Sequence, residues 1–235
     1  MTSRVTSTIP VGSPAAPPCT AIRVIGVRGS TEPQHGSRLL KPIGEALADA
    51  FPGQVSYSEL EYPATIERFV PPADIDLGES PSIGVANLVA LLSQTAGREP
   101  GCCFVLLGYS QGAQVVGDAL VPPPQRICGQ RTGELSQAAS DRIVAIALFG
   151  DPRFTKGEPY NAGTFDPNEE GLYPRALGAL DRYAGRLKNY CARDDVTCQG
   201  ATGNLQAHTS YFGNTMPAEA TTFVIQRIRS KRCLP

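Results

Sequence analysis

The sequence predicts an α/β protein: a doubly wound parallel sheet with helices on both faces, a three-layer α/β/α sandwich. Three observations carry that prediction. Short β-branched or apolar runs alternate with segments of helical periodicity, the order expected of strand-helix-strand units in one sheet. The run 103–107 drives through Gly108-Tyr109-Ser110-Gln111-Gly112 directly into helix-forming residues. The chain of 235 residues shows neither a linker nor a repeat of solenoid or propeller period, so residues 19–235 read as one domain preceded by a flexible lead-in, 1–18, rich in Ser, Thr, Pro and Ala. Right-handed crossovers then wind the helices onto both faces.

Residues 21–27 (AIRVIGV) form the first strand and end in a polar loop, Arg28-Gly29-Ser30-Thr31-Glu32. Apolar residues at helical spacing over 39–51 predict a helix, stopped by Pro52-Gly53. The weak alternation of 55–62 gives the next strand, followed by a loop whose Phe69 and Val70 are expected to flank a site. Ser80 as N-cap with Pro81 at the first helical position opens a helix to Thr95, its apolar face made by Ile83, Val85, Leu88, Val89 and Leu92. After the strand at 103–107 comes a helix at 111–120. The proline-rich segment 121–140 is an excursion over the surface, and 142–149 (RIVAIALF) is the clearest buried strand. A long polar connection, 153–174, precedes a short strand at 187–190. Met216-Pro217 opens the last amphipathic helix.

Composition excludes several functional classes. With 18% charged residues and a formal net charge of −1, the surface offers no field for nucleic acid. No apolar run reaches the length of a membrane span. Seven cysteines without a C-x-x-C pair or a Cys/His cluster point to disulfides and an oxidising compartment rather than to zinc. A secreted protein is expected, although no basic stretch followed by an apolar core is visible as a signal in this sequence.

The chemistry centres on Gly108-x-Ser110-x-Gly112, which reads as a nucleophile elbow. A serine on a sharp strand-to-helix turn needs glycine two residues before and after, because neighbouring backbone leaves no room for side chains. A serine hydroxyl also needs a base held by a carboxylate. Only His35 and His208 are available, and the order Ser, acid, His selects His208 and leaves His35 as a solvated residue. Eleven acidic residues lie between Ser110 and His208. Asp194 and Asp195 stand out among them, just after a strand and between Cys191 and Cys198, which can close a small clamp around the acid. The oxyanion donors are expected at the backbone N–H of Gln111 and in the loop after the first strand, at Gly29-Ser30-Thr31, each worth about 3–4 kcal/mol to the transition state. Neither a cofactor nor a metal is called for; two histidines are too few for a catalytic zinc site of the usual kind.

The motifs Arg28-Gly-Ser30-Thr-Glu32, Gly108-Tyr-Ser110-Gln-Gly112, Phe149-Gly-Asp-Pro152, Cys191-x-x-x-Asp195-x-x-Cys198 and His208-Thr-Ser-Tyr211 stand in the order seen in cutinases and their acetylxylan-esterase relatives. From Cys19 to the last helix, the chain resembles that family. The resemblance implies a serine esterase with a five-stranded parallel sheet and a rather open site. It implies Asp195 rather than Asp194 as the acid, and oxyanion donors at Ser30 and Gln111. It also implies a disulfide from Cys19 to the region before the elbow strand, where Cys102 and Cys103 compete; Cys128 and Cys233 are left for a third bridge. In lipid-accepting cutinases bulky aliphatics precede the histidine, whereas residues 199–207 here offer only Leu205. Short acyl esters, or cutin- and polyester-type esters, are therefore expected as small or polymeric substrates of a monomer. Acetylated polysaccharide, cell-envelope lipid esters of the mycolyl type, and a silent binding protein of the same fold are the alternatives.

Overall fold

The computed structural model describes residues 18–70, 74–76, 78–200 and 203–231. The strands are β1 (Ala21–Val27), β2 (Val55–Glu59), β3 (Arg68–Val70), β4 (Asp74–Asp76), β5 (Cys102–Tyr109), β6 (Ile143–Phe149), β7 (Asn161–Gly163) and β8 (Leu187–Cys191). The α-helices are α1 (Leu40–Ala50), α2 (Ser80–Arg98), α3 (Gln111–Leu120), α4 (Gln137–Asp141), α5 (Leu205–His208) and α6 (Met216–Ser230). β2-β1-β5-β6-β8-β7 form one sheet in which every pairing is parallel, while β3 and β4 make a small antiparallel hairpin.

The alternation of side chains along the strands builds two apolar layers. Phe104 and Leu106 of β5, with Ile146 and Leu148 of β6, pack with residues of α2 and α3. Val105 and Leu107, with Ala147 and Phe149, face α1 and α6. β5 and β6 are buried along their whole length, which is why both read as uninterrupted apolar runs. The chain leaves β1 for β2 on one side and returns to β5 on the other. The carboxyl ends of β1 and β5 therefore lie at the switch point of the sheet, where α/β folds open a crevice.

Five of the six strands match the expectation. The sixth, β7, lies inside the segment 153–174, read as a long polar connection, and pairs with the edge of β8. Its three residues, Asn-Ala-Gly, carry no apolar run that could have announced it. A second correction concerns α2, whose N-cap is Glu79, so that Ser80 and Pro81 occupy the first two helical positions. Freed from capping, the Ser80 hydroxyl accepts from the N–H of Thr65 at 3.1 Å and lies 2.9 Å from Oε1 of Gln111. It ties the segment after β2 to the start of α3.

Beneath the site lies a buried network of charge. Arg153 Nη1 is 2.6 Å from Asp118 Oδ1, and Arg175 Nη1 bonds Asp151 Oδ2. Asp118 also accepts the N–H groups of Ile127 and Cys128. Burying such groups is tolerated only when each is paired and hydrogen-bonded. The network links α3 to the turn Gly150-Asp151-Pro152 at the end of β6.

Candidate active site

The turn from β5 into α3 puts Ser110 at φ 54° and ψ −122°, a strained conformation for a residue with a side chain. A Cβ at Gly112 would stand 1.9 Å from the carbonyl oxygen of Val27, and one at Gly108 would stand 2.8 Å from Cα of Ala113. Both glycines are therefore dictated by backbone approach. The first N–H groups of α3, that of Gln111 among them, precede the helix's own hydrogen-bond ladder. The Gln111 side chain is turned into the protein, donating to the carbonyl of Thr65 at 2.8 Å.

His208 closes the short helix α5. Its Nε2 lies 2.9 Å from Ser110 Oγ and its Nδ1 lies 2.8 Å from Asp195 Oδ1. The Tyr109 ring stacks on the imidazole, with centroids 5.2 Å apart, and its hydroxyl donates to the His208 carbonyl at 2.9 Å. Asp195 is fully buried, whereas Asp194 is exposed with a left-handed φ of 63°. The Asp195 carboxylate accepts from the N–H of Thr197 at 2.8 Å and from the hydroxyl of Tyr211 at 2.6 Å. Burial pushes the Asp195 pKa up, but the His208 charge and the hydrogen bonds from His208, Tyr211 and Thr197 outweigh it, leaving the acid below its ordinary value. Gly150, at φ 57°, leaves room for this group: a Cβ there would stand 2.9 Å from both Asp195 Oδ2 and His208 Cε1.

The loop after β1 is fixed from within. Buried Arg28 donates to the carbonyls of Glu32, Tyr62 and Pro63, and Glu32 receives the N–H of Gly29 at 2.8 Å. Ser30 lies on this loop and lines the same cleft as Ser110, about 430 Å³ in volume, together with Ile66, Leu205 and Phe212. Ser110, Asp195 and His208 are thus joined in one hydrogen-bonded chain at the sheet's switch point, with Ser30 and Gln111 beside it.

The profile of the family described as Cutinase matches residues 18–228. The chain belongs to the cutinase family. It is 32% identical over 221 residues to carboxylesterase Culp1 of Mycobacterium tuberculosis, covering 93% of this chain and 88% of that one. It is 28% identical over 214 residues to acetylxylan esterase 2 of Talaromyces purpureogenus, covering 89% and 88%. Among solved structures, the catalytic core domain of acetyl xylan esterase from Trichoderma reesei is similar at a TM-score of 0.72 and 26% identity, covering 89% of this chain and 99% of that one. This member of the cutinase family is a carboxylic ester hydrolase.

Among the described residues, two disulfides fix this cutinase-type scaffold. Cys191 and Cys198 are bonded across the loop that holds Asp195, and Cys19 is bonded to Cys103. Strand alternation decides between the adjacent candidates. Cys103 points to the α1 and α6 layer, where Cys19 packs, while Cys102 points to the opposite layer and keeps a free thiol. Cys128 is also a free thiol, pushed up to about 11 by burial and by the nearby Asp118. Cys233 lies outside the described residues. The same holds for the side chains of Phe69 and Val70; their neighbour Ile66 supplies apolar wall instead. His35 is exposed and pairs with Glu61 at 3.1 Å, in keeping with a solvated residue. No group of three or more His, Cys, Asp or Glu suited to a metal occurs among the described residues.

Sequence reasoning missed Thr197, Tyr211, Tyr109 and Ser80 as parts of the site. Tyr211 stood within the motif that begins at His208, and its spacing of three residues was the available signal.

Proposed function

We propose that the protein is a serine carboxylesterase in which Ser110 is the nucleophile, His208 the base and Asp195 the residue that orients it. The observation that carries this reading is the continuous chain Asp195 Oδ1 to His208 Nδ1 and His208 Nε2 to Ser110 Oγ, at 2.8 and 2.9 Å. Ser110 Oγ attacks the ester carbonyl carbon while its proton passes to Nε2 of His208. The carbonyl oxygen becomes an oxyanion, received by the N–H of Gln111 and by the N–H and hydroxyl of Ser30. Collapse of the tetrahedral intermediate breaks the ester C–O bond, and the alcohol leaves with the proton from His208. Water then attacks the acyl-serine and gives its proton to His208; the acyl–Oγ bond breaks, Oγ takes that proton back from His208, and the acid and free Ser110 are released. Asp195, kept ionised by its donors, holds the imidazole with Nδ1–H toward the carboxylate and Nε2 free to accept.

The substrate reading is an ester of short acyl chain, on a small molecule or a polymer. Its support is the wall before His208, where Leu205, itself 52% exposed, is the one large apolar side chain between Gln199 and the base. Acetylated xylan is the second reading, favoured by the similarity to the Trichoderma reesei acetyl xylan esterase core. An oxidising, extracellular setting fits the disulfides Cys19–Cys103 and Cys191–Cys198. The test pairs Ser110→Ala with an acyl series of nitrophenyl esters and acetylated xylan. Ser110→Ala should abolish hydrolysis and labelling by a fluorophosphonate, and wild-type turnover should fall as the acyl chain lengthens. Labelling that survives the substitution would place the nucleophile elsewhere, and a preference for long chains would overturn the short-acyl reading in favour of lipid esters.

A further inference from the structure

The cleft around Ser110 carries a cation that the hydrolytic steps leave unused. Arg38 lines it along with Ser110, Thr31, Leu205, Thr209 and Phe212. Its Cζ lies 4.8 Å from the centre of the Phe212 ring. This cation–π contact holds the group more firmly than a free surface arginine, and among the described residues its side-chain N–H groups donate to no other group.

Several other arginines are committed to protein partners. Arg28 is buried and uses its N–H groups on loop carbonyls, whereas Arg23, Arg182 and Arg193 pair with Glu99, Asp141 and Asp166. Among the described residues, no carboxylate lies within 4.0 Å of the Arg38 guanidinium. Glu32 shares the cleft wall, but its carboxylate is held by the backbone N–H groups of Gly29 and Arg38, at 2.8 and 2.9 Å, and by the Ser37 hydroxyl at 3.1 Å. Glu32 therefore braces the loop through Arg38's main chain and leaves its side chain uncommitted.

We propose that Arg38 is a specificity-determining residue that selects esters bearing a carboxylate on the part of the substrate lying against Phe212. A planar carboxylate matches the guanidinium fork with two parallel hydrogen bonds, and the ring behind it excludes water from one side. The proposal rests on the Ser110-centred reading above and deepens it from an ester of short acyl chain to an anionic one.

Two substrate pairs, each differing only in charge, test it. On the acyl side, 4-nitrophenyl hydrogen adipate is compared with 4-nitrophenyl methyl adipate; on the alcohol side, 4-acetoxybenzoate with its methyl ester. Expected is a wild-type kcat/KM ratio, charged over neutral, that falls roughly tenfold in Arg38→Gln for one of the two pairs, the size of one charge-assisted contact. Arg38→Lys should recover part of it, and added salt should narrow the wild-type ratio. The backbone bond from Arg38 to Glu32 survives both substitutions, so the loop keeps its brace. Ratios unchanged by Arg38→Gln in both pairs would overturn the proposal while leaving the esterase reading intact. Failure of the wild type to cleave any of the four esters would sink both.

Discussion

The hydroxyl of Thr197 lies 2.9 Å from Nδ1 of His208, and the same oxygen is 2.8 Å from Oδ1 of Asp195 and 2.8 Å from the carbonyl of Gly150. A hydroxyl has one proton to give. Whether that proton goes to Asp195 Oδ1 or to the Gly150 carbonyl, the oxygen keeps a lone pair for Nδ1–H, so Thr197 accepts from the imidazole beside Asp195. Both acceptors favour the tautomer with Nδ1 protonated, the one the proposed mechanism needs for Nε2 to take the Ser110 proton.

In the proposed mechanism Thr197 is a positioning residue, and Thr197→Val, of nearly the same shape, should lower kcat by about tenfold with little change in KM, the worth of one buried hydrogen bond. Thr197→Ser should restore most of it. Steady-state kinetics on the two variants check this. A purely structural threonine would instead lower the melting temperature in both and leave kcat untouched at 25 °C.

The second prediction concerns acid. Asp195 has a folded pKa below its ordinary value, so folding favours its ionised form. The resulting stability is fully present above the unfolded value of about 3.9 and is lost as pH falls through the lower folded value. Wild type should exceed Asp195→Asn in denaturant midpoint at pH 5 to 7, and the gap should close as pH drops below about 4. Asp194→Asn should show neither effect, because that side chain is exposed. Activity should separate the two in the same way, since an asparagine at the orienting position costs orders of magnitude. Equal losses from the two substitutions would return the assignment to the open choice between adjacent aspartates.

What the sequence made legible follows from how each feature is encoded. β5 and β6 are buried on both faces, so their apolar runs need no context to be read, and the glycines beside Ser110 report a local backbone constraint. The preference for Asp195 over Asp194, the expectation of a donor at Ser30 and the region bridged to Cys19 came instead from the family resemblance. β7 stayed hidden because a three-residue edge strand of Asn, Ala and Gly is held by its neighbour's backbone, not by its own pattern. Thr197 and Tyr211 act across loops, through contacts that no periodicity announces. The choice between Cys102 and Cys103 is a matter of strand parity: it could be settled only once Cys19 was known to lie over the α1 and α6 side of the sheet. Ser80 shows the opposite error, a residue with a strong local meaning as a cap that the fold uses for a distant bond to Gln111.

The last prediction joins the second disulfide to the chemistry. Cys191 ends β8 and Cys198 lies seven residues on, with Cα atoms 5.9 Å apart, so the bond draws the Asp195 loop closed. Within that loop the N–H of Asp195 returns to the carbonyl of Ala192, whose own N–H binds the Tyr211 hydroxyl that donates to Asp195. Opening the bond loosens both ends of this circuit at once. The sheet core, built from β5, β6 and the helices over them, does not depend on it. Cys191→Ser combined with Cys198→Ser should therefore lower kcat well below the melting transition, with far-UV circular dichroism unchanged, because a displaced member of the proposed triad costs far more in rate than in fold. A bridge that only added stability, roughly 2–4 kcal/mol for a small loop, would lower the melting temperature and leave kcat whole. Measuring kcat at 25 °C alongside the melting curve of the double variant separates the two, and full activity would remove the clamp from the catalytic account.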